Sequence, residues 1–562
     1  MEKKITWTMP VGVDSFRELR LGNKFYVDKT AFIAEFLRYD EKVTLITRPR
    51  RFGKTLNMSM MREFFDMTRD SREIFSGLEI MDTEYAAQMN SRPTLYFTFK
   101  NVTGSDFEGL KESLAYGIKS VFYYYERILE RTVDWESSEY YEFKKTTSAF
   151  RLLDVEVEKG KRYVIPDNIV KRSLTVLIST LATFYQKPIL LLIDEYDQPL
   201  IEAHVNRCRE EFSNKIYGTF LGDALKGNEN LGQSLLTGIQ RLAKESIFSK
   251  LNNVAVYTVA KKRYAGFFGM TEFETKEALE ENGLNYTPAV KKFYDGYRIG
   301  ELDIYNPWSL VNYISIGELA PYWINTSTNL LIRELIFSGE FDFKEDFEEL
   351  IEYGQVTVAM NLDASFFELK SSSTLWGLLV NAGYLTIVSR KGLTMYTIRI
   401  PNEEVKSEFR NIVSLYIKTR DDGLATLFDA LSENDMPAFL KLYRRLIMRH
   451  VSFYDTIDEN SFHMFFLGMC IATSGMYEVK SNREIGHGRS DVAMKSLFPD
   501  VRPHVVIEFK TGEDVVKGAG DALAQIEEKA YFAEFEGDVL CIGIGHDKKK
   551  CELVSNLICV GE

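Results

Sequence analysis

Two clusters of polar residues in this chain are of types that bind phosphate groups and metal ions. The first is Gly53-Lys54-Thr55, which follows the β-branched run Val43–Thr47 and precedes a helix-forming segment. A strand, a tight loop and a helix surround a phosphate with backbone N–H groups, while the lysine contacts its oxygens and the hydroxyl binds Mg²⁺. Arg48 stands where this motif ordinarily begins with a glycine. The tripeptide alone could also simply begin a surface helix.

An acidic pair about 140 residues further along the chain would complete this site for phosphate and Mg²⁺. Residues 189–193 are continuously apolar, as a central parallel strand requires, and Asp194-Glu195 follow them. We expect Asp194 to hold Mg²⁺ through water and Glu195 to polarise the water that attacks a γ-phosphate. The alternative is an acidic helix cap. Asp197 either shares this charge or lies on the solvated surface, and we expect the second.

Thr237 and Arg241 are two further, weaker candidates for the same nucleotide site. Thr237 ends a predicted strand, where a sensor side chain would contact the γ-phosphate or the water, although threonine is also an ordinary strand residue. Arg241 is a phosphate contact or the arginine finger of a site shared between subunits.

The second cluster comprises Asp491, Glu508 and Lys510, on two neighbouring predicted strands near the C-terminus. Glu508 and Lys510 are two residues apart and therefore point to the same face of their strand. Two carboxylates can bind Mg²⁺ and activate a water, and an adjacent ammonium can stabilise a pentavalent phosphate. An exposed strand edge with Lys510 paired to Glu508 would show the same residues.

The composition limits the classes of function. The chain has 562 residues, 45% of them hydrophobic, which is enough for several cores, and its net charge of −13 argues against general coating of nucleic acid. The five cysteines form no CxxC pair, so we expect reduced thiols. No signal core or membrane-spanning run is evident, and we expect a cytoplasmic protein.

Strands that alternate with helices over the first half predict a parallel sheet covered on both faces. We expect a P-loop NTPase α/β domain over residues 1–265, with a strand at 25–27 and an aperiodic insertion at 132–165. A helical lid and winged-helix-like connector is expected over 266–400, and a helical linker over 401–450. Residues 451–562 predict an α/β domain in the order helix (459–472), three strands, helix (520–535) and strand (538–543), and this order resembles the restriction-endonuclease-like fold.

Several strings resemble the bacterial AAA-ATPase-like family: Tyr26-Val27-Asp28-Lys29-Thr30, Arg48-Pro49-Arg50-Arg51-Phe52-Gly53-Lys54-Thr55, Ile193-Asp194-Glu195-Tyr196-Asp197, Phe293-Tyr294-Asp295-Gly296-Tyr297 and Tyr305-Asn306-Pro307-Trp308-Ser309. This resemblance covers roughly residues 5–330 and makes the absent first glycine a family trait. It implies nucleotide binding, and we add Arg50 and Arg51 to the predicted nucleotide ligands. The C-terminal pattern resembles the PD-(D/E)XK nuclease superfamily. That resemblance adds Glu459 and Gln525 as an acidic helix residue and a helix glutamine.

The resulting hypothesis is an ATP-hydrolysing protein coupled to a metal-dependent nuclease that acts on DNA. Its cofactors would be ATP and Mg²⁺, with Mn²⁺ as a substitute at the nuclease site. The alternative is a nucleotide-switched signalling or scaffold protein whose nuclease-like domain only binds nucleic acid or a protein. A role in defence or mobile-element control and a homo-oligomeric state are compatible with either. The substrate, its polarity and the trigger cannot be obtained from the sequence.

Overall fold

The computed structural model describes residues 7–130, 140–158, 164–241, 254–323, 344–362, 371–416, 421–450, 466, 469–470, 473, 476–485, 488–547 and 550–561. The chain divides into two units. The first unit comprises Met1–Ile332, Val358–Tyr396 and Pro401–Glu403, and the second comprises Arg333–Thr357, Thr397–Ile400 and Glu404–Glu562. Within the described part of the chain, no helix is both long and apolar enough to cross a membrane.

A five-stranded parallel sheet lies at the centre of the first unit, as the apolar runs predict. Its neighbouring strands are all parallel in the order β2-β3-β4-β1-β5. The strands β3 and β4, which carry Asp194 and Thr237 near their carboxyl ends, lie next to each other and to β1, which leads into the Gly53-Lys54-Thr55 loop. Because the carboxyl ends of parallel strands meet at one edge of a sheet, these residues converge there. The strands are β1 (Val43–Thr47), β2 (Thr94–Thr98), β3 (Ile189–Asp194), β4 (Leu231–Gly238) and β5 (Val254–Tyr257).

Helices cover both faces of this sheet. Leu191 packs into one buried core, while Leu190 and Leu192 pack into another, since alternate residues of a strand face opposite sides. This explains why β3 is apolar along its length. The helices are α1 (Phe16–Leu21), α2 (Ala31–Tyr39), α3 (Lys54–Phe65), α4 (Arg72–Phe75), α5 (Phe107–Leu129), α6 (Tyr141–Glu158), α7 (Asp167–Tyr185), α8 (Gln198–Val205), α9 (Arg209–Phe212) and α10 (Gly218–Leu225).

The middle of the chain is mainly helical with two small sheets, in agreement with the predicted helical region. Residues around Met270, Tyr294 and Tyr305 form a core of their own. The sheets have the orders β6-β8-β7 and β10-β11-β9. The elements are β6 (Met270–Thr271), α11 (Glu272–Glu281), α12 (Pro288–Tyr294), β7 (Tyr297–Ile299), β8 (Leu302–Tyr305), α13 (Pro307–Ile316), α14 (Lys344–Tyr353), β9 (Gln355–Ala359), α15 (Ser372–Ala382), β10 (Thr386–Lys391) and β11 (Met395–Arg399).

The second unit contains a mixed five-stranded sheet in the order β12-β13-β14-β15-β16. Only β14 and β15 are parallel, and the helix α19 connects them. The predicted α/β nuclease-like domain is therefore confirmed as a fold. The elements are α16 (Glu403–Tyr416), α17 (Asp421–Ser432), α18 (Met436–His450), β12 (Tyr477–Ile485), β13 (Gly488–Ser496), β14 (His504–Thr511), α19 (Val515–Glu528), β15 (Gly537–Asp547) and β16 (Lys550–Val560).

Some expectations about elements were wrong. The strand predicted at 25–27 is absent, because the only pairing there is an isolated bridge between Thr8 and Lys24. Much of the supposedly aperiodic insertion is the helix α6. The strand β16 was not predicted, and α19 begins and ends earlier than expected. Most of the helix predicted at 459–472 lies outside the described residues.

Candidate functional sites

The loop between β1 and α3 has the backbone of a phosphate-binding turn. Arg51 and Gly53 both adopt left-handed conformations, with φ of 66° and 82°. Gly53 is the N-cap of α3, and a Cβ built on it meets no atom within 4 Å. The space in front of this helix N-terminus is therefore open. Turned backbone and a helix N-terminus together favour an anion.

Lys54 lies folded against this loop. Its ammonium donates hydrogen bonds to the carbonyl oxygens of Arg48 at 3.1 Å and Pro49 at 2.9 Å. Burial lowers the pKa of Lys54, and the negative charges of Glu195 and Asp194 act in the opposite direction. The Lys54 ammonium is therefore bound to two backbone carbonyl oxygens of the loop. A phosphate oxygen can replace these carbonyls as its hydrogen-bond acceptor.

Asp194 brings two of the predicted residues together at the carboxyl end of β3. Its Oδ2 accepts a hydrogen bond from Thr55 Oγ1 at 2.7 Å, and its Oδ1 accepts one from Thr237 Oγ1 at 2.7 Å. The carboxylate is fully buried, and burial raises its pKa while the two hydroxyl donors lower it. Two hydroxyls and a carboxylate thus meet beside Lys54, which is a suitable set of oxygen ligands for Mg²⁺.

Glu195 and Asp197 differ from each other in surroundings. Glu195 is partly exposed and has a φ of 51°, an uncommon conformation for a residue with a side chain. The expectation that Asp197 lies on the solvated surface is wrong, because the residue is 2% exposed. Its Oδ2 accepts the backbone N–H groups of Ile239 at 2.9 Å and Gln240 at 3.0 Å. Burial raises the pKa of Asp197 to about 6, against the lowering effect of those two donors.

Residues 239–240, which donate these two N–H groups, are held close to the residues that follow β3. The Tyr196 hydroxyl donates to the Gln240 carbonyl at 2.8 Å. A Cβ on Gly238 would lie 2.5 Å from Asp197 Oδ1, so this position excludes a side chain. Asp197 and Tyr196 therefore hold the end of β4, and with it Thr237, in place.

Arg48 has a structural role that the sequence did not indicate. Its guanidinium is fully buried and donates to the carbonyl oxygens of Thr47 at 2.8 Å, Tyr257 at 2.9 Å and Tyr264 at 3.3 Å. Its backbone N–H donates to the Gly238 carbonyl at 3.0 Å. Burial lowers its pKa to about 9. The residue in place of the first glycine thus joins β1, β4 and β5 where the loop begins.

Arg50 and Arg51, both predicted nucleotide ligands, have different environments. The Arg50 Nε is buried and has no hydrogen-bond partner among the described residues. Arg51 lies over the Trp308 ring, 4.2 Å from its centre, and donates to the Tyr322 carbonyl at 2.9 Å. Arg241 is described and partly buried, immediately before residues 242–253, which lie outside the described part. The nucleotide roles of these three arginines stay predictions.

The C-terminal sheet places Asp491 and Glu508 side by side on β13 and β14. The Asp491 N–H donates to Glu508 Oε2 at 3.2 Å, and the Phe509 N–H donates to Asp491 Oδ2 at 2.8 Å. The two carboxylates are therefore neighbours at one place on the sheet. The Lys510 ammonium lies 3.6 Å from Glu508 Oε1 and is more exposed than that carboxylate.

Gln525 completes this cluster from α19. Its side-chain amide donates to Glu508 Oε1 and, at 3.3 Å, to the Tyr531 hydroxyl. The helix comes this close because β15 carries glycines beneath it: a Cβ on Gly543 would lie 2.2 Å from the Ala519 carbonyl. Gln525 therefore holds a carboxylate that is only 2% exposed.

The cluster fits a metal ion that is bound by few protein ligands. No group of three or more His, Cys, Asp or Glu side chains suited to a metal occurs among the residues that the structure describes. Glu459, the predicted third acidic residue, lies outside them. Two carboxylates with substrate phosphate oxygens and water are nevertheless an ordinary Mg²⁺ environment. The Asp491 and Glu508 carboxylates are therefore chemically suited to share in such a coordination.

Comparison with known proteins gives two family matches and one relative. Residues 10–248 match the family described as "Predicted AAA-ATPase", and residues 457–556 match the PD-(D/E)XK nuclease superfamily. An uncharacterized protein from the vnfD 5′ region of Azotobacter chroococcum mcd 1 is 26% identical over 550 residues, which cover 93% of this chain and 92% of that protein. The two family matches agree with the two resemblances inferred from the sequence.

Proposed function

We propose that this chain, which carries an AAA-ATPase-like domain at its N-terminus and a PD-(D/E)XK nuclease superfamily domain at its C-terminus, hydrolyses ATP and cleaves DNA in a metal-dependent reaction. The single observation that carries the first activity is the meeting of Thr55 and Thr237 on Asp194 beside Lys54. The observation that carries the second is the pairing of Asp491 with Glu508.

In the ATPase site, each residue has a role that follows from its position. Lys54 exchanges its loop carbonyls for phosphate oxygens, and the N–H groups at the start of α3 bind the same anion. Thr55 and Asp194 would hold Mg²⁺, which when bound would neutralise the charge that develops on the transferred phosphoryl group. Glu195 orients the attacking water and accepts its proton, while Thr237 fixes the rotamer of Asp194.

Arg50 is a further cation of this loop. Burial raises the pKa of Glu202 on α8, and the positive charge of Arg50 acts in the opposite direction. A buried Nε without a described partner is costly unless another group binds it. A nucleotide phosphate would supply that acceptor, and we assign Arg50 to it.

In the nuclease site, Asp491 and Glu508 would hold a divalent cation, and Lys510 stabilises the phosphate that is being cleaved. Mg²⁺ or Mn²⁺, if bound there, would lower the pKa of its water and so supply the nucleophile. Gln525 keeps the Glu508 carboxylate in a single orientation toward the cation. We further propose that the protein acts in the cytoplasm in defence or mobile-element control, and that nucleotide turnover regulates cleavage.

The test uses the full-length protein with labelled single-stranded and double-stranded DNA and RNA, with Mg²⁺ or Mn²⁺, and with or without ATP. Lys54→Ala should abolish ATP hydrolysis, and Lys510→Ala should abolish cleavage. Lys226→Ala and Lys517→Ala are matched controls, because both lysines are exposed and belong to neither cluster. Cleavage that requires both ATP and Lys54 would join the two activities.

Two results would contradict the proposal. Normal ATP turnover in Lys54→Ala would remove the P-loop assignment. ATP hydrolysis by the wild-type protein without cleavage of any nucleic acid would make the C-terminal domain a binding module, and a nucleotide-switched scaffold would then be the better description.

A further inference from the structure

The conformation of Arg51 requires an explanation beyond its place in the phosphate loop. A φ of 66° is unfavourable for a residue with a Cβ, and such strain persists only where the surroundings hold it. Gly53, two residues later, adopts positive φ at no such cost. Because Arg51 directly precedes Phe52 and Gly53, its conformation sets the direction of the N–H groups that a phosphate would contact.

The Arg51 side chain packs on Trp308. The guanidinium lies 4.2 Å from the indole ring centre, and the Tyr322 carbonyl accepts a hydrogen bond from Arg51 Nη1 at 2.9 Å. The same carbonyl accepts the Trp308 Nε1–H at 3.0 Å, so indole and guanidinium share one acceptor. Trp308 is itself fixed near the start of α13, where Asn306 Oδ1 accepts its backbone N–H at 2.9 Å.

The neighbours of Arg51 are held by the same part of the first unit. Phe52 is fully buried and lies edge-to-face against Tyr297, with ring centres 5.0 Å apart. The Trp323 Nε1–H donates to the Arg50 carbonyl at 3.2 Å. Three successive residues of the loop are therefore fixed by side chains and carbonyls from residues 297–323.

We propose that Trp308 is a positioning residue for ATP binding: by stacking on Arg51 it maintains the left-handed turn that presents the loop N–H groups to phosphate. This inference rests on the proposed ATPase function. It assigns the Asn306-Pro307-Trp308 motif to the nucleotide site, although Trp308 itself contacts Arg51 and not the predicted phosphate ligand Lys54. It also makes the Arg51 guanidinium a partner of Trp308 and not a phosphate ligand.

A double-mutant cycle tests this role because glycine adopts positive φ without support. In full-length protein, Trp308→Leu should weaken ATP binding, measured as Kd by equilibrium dialysis without turnover, about tenfold. In the Arg51→Gly background the same change should weaken it less than twofold, since no side chain remains to be held. Trp308→Phe, which keeps an aromatic face, should have an intermediate effect and serves if Trp308→Leu does not fold.

Trp7→Leu is the matched control. Its indole also donates to a side chain of this unit, Asn282 Oδ1 at 3.2 Å, in a part-buried position outside the loop contacts described above, and its loss should leave Kd unchanged. An equal weakening by Trp308→Leu in both backgrounds would overturn the inference, and so would no weakening in either. A loss of binding in Arg51→Gly as complete as in Lys54→Ala would make the guanidinium a phosphate ligand and also overturn it. Absence of ATP binding by the wild-type protein would instead refute the proposed function itself.

Discussion

The Thr55 hydroxyl donates a hydrogen bond of 2.7 Å to Asp194 Oδ2, although the two residues are 139 positions apart in the chain. This contact joins the N-terminus of α3 to the carboxyl end of β3. It places one hydroxyl and one carboxylate oxygen within hydrogen-bonding distance of each other. The two principal predicted Mg²⁺ ligands of the ATPase site are therefore already adjacent.

Removal of the Thr55 hydroxyl should impair hydrolysis while leaving the fold intact. We expect Thr55→Ala to lower kcat/KM for ATP about 100-fold, the order of effect of losing one well-placed transition-state contact. Thr55→Ser retains the hydroxyl and should keep most of the activity. Steady-state assays at several Mg²⁺ concentrations would measure both variants. Equal activity of the alanine and serine variants would show that Thr55 is no metal ligand.

The parallel sheet and the convergence of its site residues could be predicted because each rests on a local pattern. Continuous apolar runs give buried parallel strands, and such strands converge at their carboxyl ends. Thr55, Asp194 and Thr237 each follow or end such a run, so their meeting required no knowledge of long-range packing. Asp491 and Glu508 could be expected to lie close together for a different reason, because they fall on predicted strands that are consecutive in the chain, and such strands usually pair.

What the sequence did not reveal depends on packing between distant segments. Asp197 is polar and follows an acidic pair, yet the backbone N–H groups of residues 239–240 make its burial acceptable. In α6, buried threonines occupy part of the helix face that Phe143, Phe150 and Leu153 otherwise mark at helical spacing, which conceals the period. Arg48 is buried only because three carbonyls converge on it.

Asp197 should make stability depend on pH in a predictable direction. Its pKa rises from 3.8 to about 6 on folding, so the folded state binds more protons than the unfolded state between these values. Stability therefore falls as pH rises from about 4 to about 6 and this contribution is constant above. Since one pKa unit corresponds to about 1.4 kcal/mol, the fall should amount to roughly 2 to 3 kcal/mol.

Urea denaturation between pH 4 and pH 8 would measure this effect by comparison with Asp197→Asn. An amide oxygen can still accept both backbone N–H groups but does not ionise, so the variant should lack that part of the decline. Asp223→Asn, at an exposed position, is the control and should follow the wild type. Identical pH profiles for Asp197→Asn and the wild type would show that Asp197 does not titrate in this range.

Loss of the Gln525 amide should weaken metal binding at the second cluster. Gln525→Ala leaves the Glu508 carboxylate without one of its donors and less firmly oriented, and such orienting partners typically contribute about 10- to 100-fold in metal affinity. Calorimetric titration with Mn²⁺ measures this directly. Asn556→Ala removes a similar amide-to-carboxylate bond, to Glu527 at 2.8 Å on an exposed surface, and should leave the affinity unchanged. A similar loss in both variants would contradict the role of Gln525.

The close approach of α19 to β15 can be tested with two glycines that should respond in opposite directions. In Gly543→Ala the new Cβ would lie 2.2 Å from the Ala519 carbonyl and 2.4 Å from the Leu523 nitrogen, both backbone atoms of the helix. The helix must move away, so we expect a loss of about 1 to 3 kcal/mol in the free energy of unfolding. Gly520 is within α19 and has no atom within 4 Å of a built Cβ, so Gly520→Ala should gain up to about 1 kcal/mol through helix propensity.

The same two variants also test whether the packing of α19 affects metal binding. A helix displaced by Gly543→Ala carries Gln525 away from Glu508, so Mn²⁺ affinity should fall together with stability, whereas Gly520→Ala should leave affinity unchanged. Both quantities can be measured on the same preparations by urea denaturation and calorimetry. If Gly543→Ala were as stable as the wild type, the helix could not lie directly on β15. Its glutamine would then have no fixed distance from the carboxylate that it is expected to orient.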